Sequence, residues 1–235
     1  MGNKRLIAGI IVIVILIIGL IATSYLYSQF NVEQLEILTE ESNKILQMDI
    51  ATDEIETDIK TVQSYGVVEQ NIKEYIVKLK NIYKEVEKLN KDINPEIIFS
   101  AENVNAENKS LEKIETFIQE NRQKAKEYLQ QYEELIKEEN ILQNMNEEEI
   151  NFKKDYFIEL YKTVMLGESM EGQLSLLQRK IENEKDELYT KLNIVSQIKQ
   201  YLQDNEKYWS IKDGKIELNA NIMTEYYNLV NEIIS

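Results

Sequence analysis

Apolar positions in this chain form one continuous run near its start and several stripes at helical spacing after it. The run, residues 6–22, reads LIAGIIVIVILIIGLIA and contains no charged residue. With residues 23–27 the uncharged stretch reaches the roughly 20 residues that a helix needs to cross the hydrocarbon core of a bilayer. The pattern therefore predicts a transmembrane helix over residues 6–27, through which the chain would bind the lipid bilayer.

The charges on either side of this segment predict its orientation. Lys4 and Arg5 stand just before it, whereas the first cation after it is Lys44. Short segments rich in Lys and Arg stay on the cytoplasmic side of a membrane. Residues 1–5 are therefore predicted to be cytoplasmic and the bulk of the chain extracytoplasmic, as in a single-pass signal-anchor protein of the cell membrane.

The residues just after the apolar run suggest how it meets the far side of the membrane. Tyr25, Tyr27 and Phe30 stand where aromatic side chains collect at a membrane–water interface. A signal peptide cleaved after about Ser24 is the alternative, because Ala22 and Ser24 are small residues at the spacing that a signal peptidase reads. The apolar run exceeds the usual ~7–15 residues of a signal peptide, which favours the uncleaved anchor.

The exported part carries apolar stripes with the period of a helix. The clearest stripe spaces its residues alternately four and three apart, and Ile76 and Tyr83 lie beside it and widen it. Its members are Val68, Ile72, Tyr75, Leu79, Ile82, Val86, Leu89 and Ile93. A two-stranded coiled coil prefers charges beside its stripe. The widened face therefore favours a helix buried in a bundle of three or more helices.

Further stripes and breaks divide residues 28–205 into an elongated antiparallel bundle. Residues 31–65 are predicted to form a helical stalk that continues from the membrane helix. Pro disfavours a helical residue before it, so Asn94-Pro95 ends the second helix and opens a loop over residues 94–109. Ser110 is the expected N-cap of the next helix, which is predicted to run to about residue 144.

Two local features are expected to shape the rest of the bundle. Asn146 precedes three glutamates, which predicts an N-cap followed by an acidic first turn. Gly167 and Gly172 flank the sequence ESME. The segment 167–172 is either a tight turn between two helices or a softened part of one helix that continues to about residue 204.

Residues 206–235 change character and predict a small β-hairpin followed by a terminal helix. Asp213-Gly214 is the strongest short hairpin signal, and a two-residue turn there brings four apolar residues onto one face. These residues are Trp209, Ile211, Ile216 and Leu218. The last helix would start near Asn221 as its cap, and its apolar side consists of Ile222, Tyr226, Leu229 and Ile233.

The apolar face of the hairpin is the candidate contact site that the sequence offers. An isolated two-stranded hairpin is at best marginally stable in water, so this face has to rest on something. We expect Trp209 to be buried against the end of the bundle. In the alternative, Trp209, Ile211, Ile216 and Leu218 stay partly exposed and dock a partner, because Trp is enriched at binding hot spots.

Composition excludes several kinds of chemistry. Cysteine and histidine are both absent from the 235 residues, which excludes ordinary zinc sites, a Cys nucleophile and a Ser-His-Asp triad. The formal net charge of −15 disfavours nucleic-acid binding, which depends on neutralising phosphates. We expect no enzyme and no cofactor, and at most weak divalent-cation binding by exposed glutamates.

Glutamate and lysine recur four residues apart along the predicted helices, with Glu first. Such pairs stabilise an isolated helix by roughly 0.2–0.5 kcal/mol each. On the helix with the clearest stripe the pairs are Glu69/Lys73, Glu74/Lys78 and Glu87/Lys91. We interpret all of them as solvated helix surface.

These patterns together predict an all-α fold. It comprises an N-terminal transmembrane helix, an elongated antiparallel helical bundle with coiled-coil-like heptads, and a small C-terminal β-hairpin plus helix. We expect an interaction or scaffolding subunit of the cell envelope or of a membrane assembly, working with an unidentified protein partner. The alternative is a sensor or ligand-binding ectodomain that works with a separate output protein.

Overall fold

The computed structural model describes residues 26–104, 109–213 and 215–234. Within these residues the fold is mostly helical (76%), with eight helices and a two-stranded antiparallel hairpin near the C-terminus. The helices are α1, whose described part covers 26–47, α2 (Gln63–Lys91), α3 (Pro95–Ile98), α4 (Glu112–Leu135), α5 (Glu138–Gln143), α6 (Lys154–Met165), α7 (Glu168–Asp204) and α8 (Ala220–Ile234). The strands are β1 (Trp209–Lys212) and β2 (Lys215–Leu218).

The predicted transmembrane segment 6–27 lies outside the described residues except for its last two positions, which belong to α1. Tyr25 lies outside them as well. Within 26–104, 109–213 and 215–234, no helix is long and apolar enough to cross a membrane. The membrane anchor therefore stays a prediction.

Two hydrophobic cores follow one another along the three long helices α2, α4 and α7. The core nearer the start of α1, here called the proximal core, includes Leu38, Ile50, Tyr75, Leu79, Tyr132, Tyr161 and Leu177. The second, here called the distal core, includes Val104, Ile114, Leu188, Leu192, Ile198, Leu202 and Trp209. Since α2 and α7 pass from the proximal to the distal core while α4 returns, α4 is antiparallel to both.

The wide apolar face predicted on α2 is buried within this one chain. The stripe residues from Val68 to Val86 are buried, and so are Ile76 and Tyr83 beside them. Leu89 is half-buried against the distal core. Because α4, α6 and α7 all contact α2, the face is covered by a bundle of more than three helices, as its width indicated.

The predicted helical stalk over residues 31–65 is wrong beyond residue 47. The chain leaves the helix there and residues 48–62 are irregular. Turn chemistry explains the break, because the Asp49 carboxylate accepts a hydrogen bond from the Ala51 N–H at 3.1 Å and the Asp53 carboxylate accepts one from the Asp49 N–H at 2.8 Å. Such short polar side chains satisfy the backbone in place of a helix.

The boundaries predicted around α4 also need correction. Residues 94–109 are not all loop, since Asn94 caps the short helix α3 by accepting from the Glu96 N–H at 3.0 Å. Ser110 Oγ accepts from the Glu112 N–H at 3.4 Å, although the helical cap position is Leu111. The helix ends at Leu135 rather than near residue 144, and α5 follows as a separate piece.

Asn146 occupies the N-cap position before the three glutamates, as expected, but they form a short 3-10 helix, Glu147–Glu149, rather than the start of an α-helix. The Asn146 side chain makes no capping hydrogen bond and donates to the Glu149 carboxylate at 2.6 Å instead. Of the two structures predicted for residues 167–172, the structure shows the turn between two helices. The turn lies at Gly167, and Gly172 lies inside α7. A Cβ at Gly167 would lie 2.8 Å from the carbonyl oxygen of Thr163, so only glycine fits that close turn.

The C-terminal hairpin has the predicted register. Trp209 pairs with Leu218 and Ile211 with Ile216 in an antiparallel pair of strands. The terminal helix α8 begins at Ala220, one residue before the expected cap. Asn219 does the capping, because its side-chain oxygen accepts from the N–H of Asn221 at 3.3 Å.

Candidate functional site

The hairpin face predicted as a contact site packs against the distal core. Trp209 is 3% exposed, and its indole N–H donates to the carbonyl of Leu202 at 2.7 Å. Ile211, Ile216 and Leu218 are half-buried and pack against the same core. The structure thus brings the four residues together and buries Trp209 as expected, while docking by this face stays a prediction.

A single lysine fixes the Trp209 end of the hairpin. Lys109 Nζ lies 4.9 Å from the centroid of the Trp209 ring and donates to the Trp209 carbonyl at 2.7 Å. The first contact is a cation–π interaction, and the second satisfies a backbone acceptor at the strand start. The hairpin is therefore a firmly held part of the distal end.

The helix α8 carries a second apolar stripe that was not predicted from the sequence. Next to the predicted side, a further set of apolar residues repeats at spacings of four, three and four. Its members are Met223, Tyr227, Val230 and Ile234. Met223 is 41% exposed, Tyr227 51% and Ile234 68%, while Val230 is buried. The helix thus has an apolar face too wide for the bundle to cover.

The signal for this stripe is present in the sequence. Apolar residues on α8 come in adjacent pairs: Ile222-Met223, Tyr226-Tyr227, Leu229-Val230 and Ile233-Ile234. One member of each pair was assigned to the buried side, and the other was left without a role. Paired apolar residues at helical spacing define a face about twice as wide as a single stripe.

A groove of about 210 Å³ opens beside this stripe, between α3, β2 and α8. It is here called the distal groove. Its apolar and aromatic lining comes from Pro95, Phe99, Ile216, Tyr226, Tyr227 and Val230. Glu96 and Lys215 supply the charges around it. Of the four predicted contact residues, Ile216 is the one that also lines the groove.

Aromatic contacts shape the wall of the distal groove. The ring centroid of Tyr226 lies 6.3 Å from that of Phe99 and 5.4 Å from that of Tyr227, both edge-to-face. Burial, with smaller contributions from Tyr227 and Glu96, raises the pKa of Tyr226 to about 12. The Tyr226 phenol is therefore neutral at physiological pH, and the wall offers rings and a hydroxyl rather than a charge.

The proximal half contains a buried ionic network that the sequence analysis also missed. Glu69 and Lys73, predicted as solvated surface, are only 1% and 3% exposed. Lys73 Nζ bridges two carboxylates, at 2.7 Å from Glu69 and 2.8 Å from Glu41. It also donates to the Asp58 carbonyl at 2.7 Å.

The same network holds the irregular segment 48–62 against α2. One carboxylate oxygen of Glu69 accepts from the N–H of Thr61 at 2.8 Å and from its hydroxyl at 2.7 Å. The Lys60 N–H donates to both oxygens, at 3.0 Å to that one and 3.1 Å to the other. The carboxylate thus satisfies backbone donors that no helix or strand satisfies, which is the condition under which a buried charge is tolerated.

The electrostatics of the network follow from these bonds. Burial by itself would raise the pKa of Glu69, but hydrogen bonds from Lys73 and Thr61 hold it below its ordinary value. Glu41 behaves likewise, with Lys44 and Lys73 as its partners. Burial would lower the pKa of Lys73, and the two carboxylates raise it instead. All three groups stay charged at neutral pH.

This network has the properties of a structural element rather than of a reactive site. The Lys73 ammonium uses three donors on three acceptors. In the part of the chain that the structure describes, no cluster of acidic side chains is arranged to hold a metal ion.

No protein-family model, curated protein or solved structure matches the chain. The distal groove and the exposed stripe of α8 therefore form the candidate functional site.

Proposed function

We propose that this chain is a membrane-anchored, extracytoplasmic helical bundle that binds a protein partner through its distal end. It would serve as an interaction or scaffolding subunit of the cell envelope or of a membrane assembly. Residues 6–27 anchor it, with residues 1–5 in the cytoplasm. The observation that carries the proposal is the exposed apolar stripe of α8 beside the distal groove.

The chemistry of this surface suits a protein partner. Exposed apolar patches with a polar rim mark interaction sites, and aromatic residues and Met are enriched at such interfaces. Met223 and Tyr227 are residues of these types, and Ile234 continues the exposed apolar line along α8. Burying their apolar area against a partner would contribute about 25 cal/mol per Å².

Charge adds a second property to the expected partner. The charged residues of α8 are Glu225 and Glu232, both acidic, and the whole chain has a net charge of −15. Complementary potentials steer association and suppress wrong partners. The partner is therefore expected to present an apolar segment flanked by basic residues.

Site-specific photo-crosslinking in intact cells tests this proposal. A benzophenone amino acid replaces Tyr227 in the full chain, and the matched control replaces Leu176, an exposed leucine on α7. We expect one discrete adduct from position 227, containing the same protein in every preparation, and none from position 176. Mass spectrometry identifies the adduct and shows whether the crosslinked segment is apolar with basic flanks.

A second variant ties that adduct to the apolar stripe. Met223→Glu places a charge on the stripe next to position 227 and should remove most of the adduct. Leu176→Glu should leave it unchanged, and both variants should unfold like the parent chain. An adduct that survives Met223→Glu, or one that contains only a second copy of this chain, would contradict the proposal.

A further inference from the structure

Another aromatic surface lies at the opposite end of the bundle, where the described chain begins. Tyr27, near the start of α1, contacts Phe152 with ring centroids 6.5 Å apart in an edge-to-face arrangement. Lys153 Nζ lies 5.9 Å from the Tyr27 ring and 5.5 Å from the Phe152 ring. These contacts hold the turn before α6 beside the first residues of α1.

The shape of this turn directs Phe152 away from the proximal core. Lys153 adopts the left-handed conformation, with φ 51° and ψ 44°, which is uncommon for a residue other than glycine. Ile150 and Phe157 on either side are buried, whereas Phe152 is 58% exposed and Tyr156 is also exposed. Because both flanks are anchored, the exposed position of Phe152 is built into the turn.

A chain of rings connects the turn to α2. The ring centroids of Tyr156 and Phe157 lie 5.0 Å apart, and those of Phe157 and Tyr65 lie 4.9 Å apart. A groove of about 420 Å³ runs along them and is also lined by Tyr27 and Lys153. Tyr27, Phe152, Lys153 and Tyr156 are here called the basal corner. It combines exposed rings and phenols with a cation.

We propose that the basal corner contacts the phospholipid headgroups of the membrane that holds the anchor. This inference rests on the proposed function, because it takes residues 6–27 as the membrane-spanning segment. The membrane is chosen as the occupant because of where that segment ends: the predicted span closes at Tyr27, shortly before the first acidic residue, Glu33, and Tyr27 is in ring contact with Phe152. Where the predicted transmembrane helix leaves the hydrocarbon core at Tyr27, the membrane surface therefore lies beside Phe152.

The distances agree with the thickness of the interface. The hydrocarbon core is about 30 Å thick and the whole bilayer about 40–45 Å, which leaves roughly 5–8 Å of headgroup region on each side. A ring 6.5 Å from Tyr27 therefore reaches this layer or its edge. Amphipathic rings prefer this layer, and Lys153 provides a cation for the lipid phosphate.

The contact would give the bundle two points of attachment to the membrane. One is the chain itself at the start of α1, and the other is the turn that carries Phe152. Two points restrict how far a bundle tilts on a single helix. The basal corner thereby holds the distal groove at the end that faces away from the lipid.

Depth-dependent fluorescence quenching tests the contact in the full chain. The chain contains no cysteine, so Asn151→Cys gives one labelling site next to an intact Phe152. An environment-sensitive nitrobenzoxadiazole dye is attached there, and the protein is reconstituted into phosphatidylcholine vesicles with nitroxide-labelled lipids. Met223→Cys carries the same dye at the distal end. We expect loss of most emission at position 151 and little loss at position 223.

A second substitution identifies the side chain responsible. Adding Phe152→Ser to the labelled Asn151→Cys chain should reverse most of the quenching, whereas adding Leu176→Ser should not. Flotation of the vesicles separates the two claims. If the chain floats with lipid but position 151 is quenched no more than position 223, the basal contact is refuted and the anchor stands. If the chain does not float, the anchor itself is refuted.

Discussion

The proximal and distal cores share the same three long helices but are held together by different chemistry. The proximal core contains a bridged ion network around Lys73 and tyrosine hydroxyls that donate to backbone carbonyls, as Tyr75 does to Leu135 at 3.0 Å. Among the described residues of the distal core no charged side chain is buried, and its hydrogen bonds include those of the Trp209 indole to Leu202 at 2.7 Å and of the Tyr201 hydroxyl to Ile222 at 3.3 Å. The proximal half also contains the long irregular segment 48–62.

This difference shows why the charges are buried where they are. Residues 48–62 and the breaks around α5 leave backbone groups without helical partners, and unsatisfied buried backbone groups are costly. Side chains such as Glu69 and Tyr161 satisfy them, the latter by donating to the Ile141 carbonyl at 3.0 Å. In the distal half the hairpin supplies its own ladder bonds and Lys109 satisfies the Trp209 carbonyl, so no buried ion network is needed there.

The largest loss of stability is expected from Lys73→Met, which leaves the buried carboxylates of Glu41 and Glu69 without their shared cation. Removing one partner of a buried ion pair costs about 3–5 kcal/mol. The matched control is Lys91→Met on the same helix, whose pair with Glu87 is solvent-exposed on the lysine side and is worth about 0–1 kcal/mol. Denaturant unfolding of both variants measures the difference, and equal losses would show that the network is not structural.

Acid should weaken the proximal half in the same way. The pKa values of Glu41 and Glu69 are held below 4.5 in the folded chain. Their contribution is therefore complete above the unfolded-state pKa and is lost as the pH falls through the folded-state pKa. We expect unfolding stability to drop below about pH 4.5, and to drop less in Glu69→Gln. A parallel decline in both proteins would contradict this assignment.

A smaller effect is expected from Trp209→Phe in the distal half. The substitution keeps an aromatic ring but leaves the Leu202 carbonyl without its donor, which costs about 1–3 kcal/mol. The loss should be independent of pH between pH 3 and pH 7, roughly the carboxylate range, unlike that of the Lys73 variant. Tryptophan fluorescence is lost with the only Trp of the sequence, so circular dichroism follows the unfolding. A pH-dependent loss of stability would mean that the distal core also depends on ionised carboxylates, as the proximal core does.

The smallest effect is expected from Tyr75→Phe, which removes one hydroxyl donor of the proximal core. The net contribution of a hydrogen bond of this kind is about 0.5–1.5 kcal/mol. Tyr227→Phe on the exposed stripe of α8 is the control and should leave stability unchanged. Equal losses of unfolding free energy at the two positions would show that the hydrogen bond from the Tyr75 hydroxyl does not stabilise the proximal core.

The parts of the fold that sequence predicted well are those set by local pattern. The buried stripe on α2 could be predicted because its apolar residues recur at helical spacing. The hairpin register could be predicted because Asp213-Gly214 favours a two-residue turn. The pair Glu69/Lys73 looks the same in sequence as Glu87/Lys91. Only the path of residues 48–62, set by tertiary contacts, buries the first pair and leaves the second at the surface.

The candidate site was predictable in part. Its hairpin component was identified, and burial of Trp209 was the expected outcome. The exposed stripe of α8 was readable from the apolar pairs but was not separated from the buried side. The distal groove was beyond sequence reasoning, because α3, β2 and α8 meet only through the path of the whole chain.

The location of α8 outside the cytoplasm is the claim on which the function depends, and one labelling measurement tests it most directly. In the cysteine-free chain, Leu176→Cys and Asn3→Cys are made separately and exposed to a membrane-impermeant maleimide on intact cells. Leu176 is exposed on α7, the helix against which α8 packs, and lies outside the proposed docking stripe. We expect modification at position 176 without permeabilisation and at position 3 only after it. A position 176 that is protected until the cells are permeabilised would contradict the account.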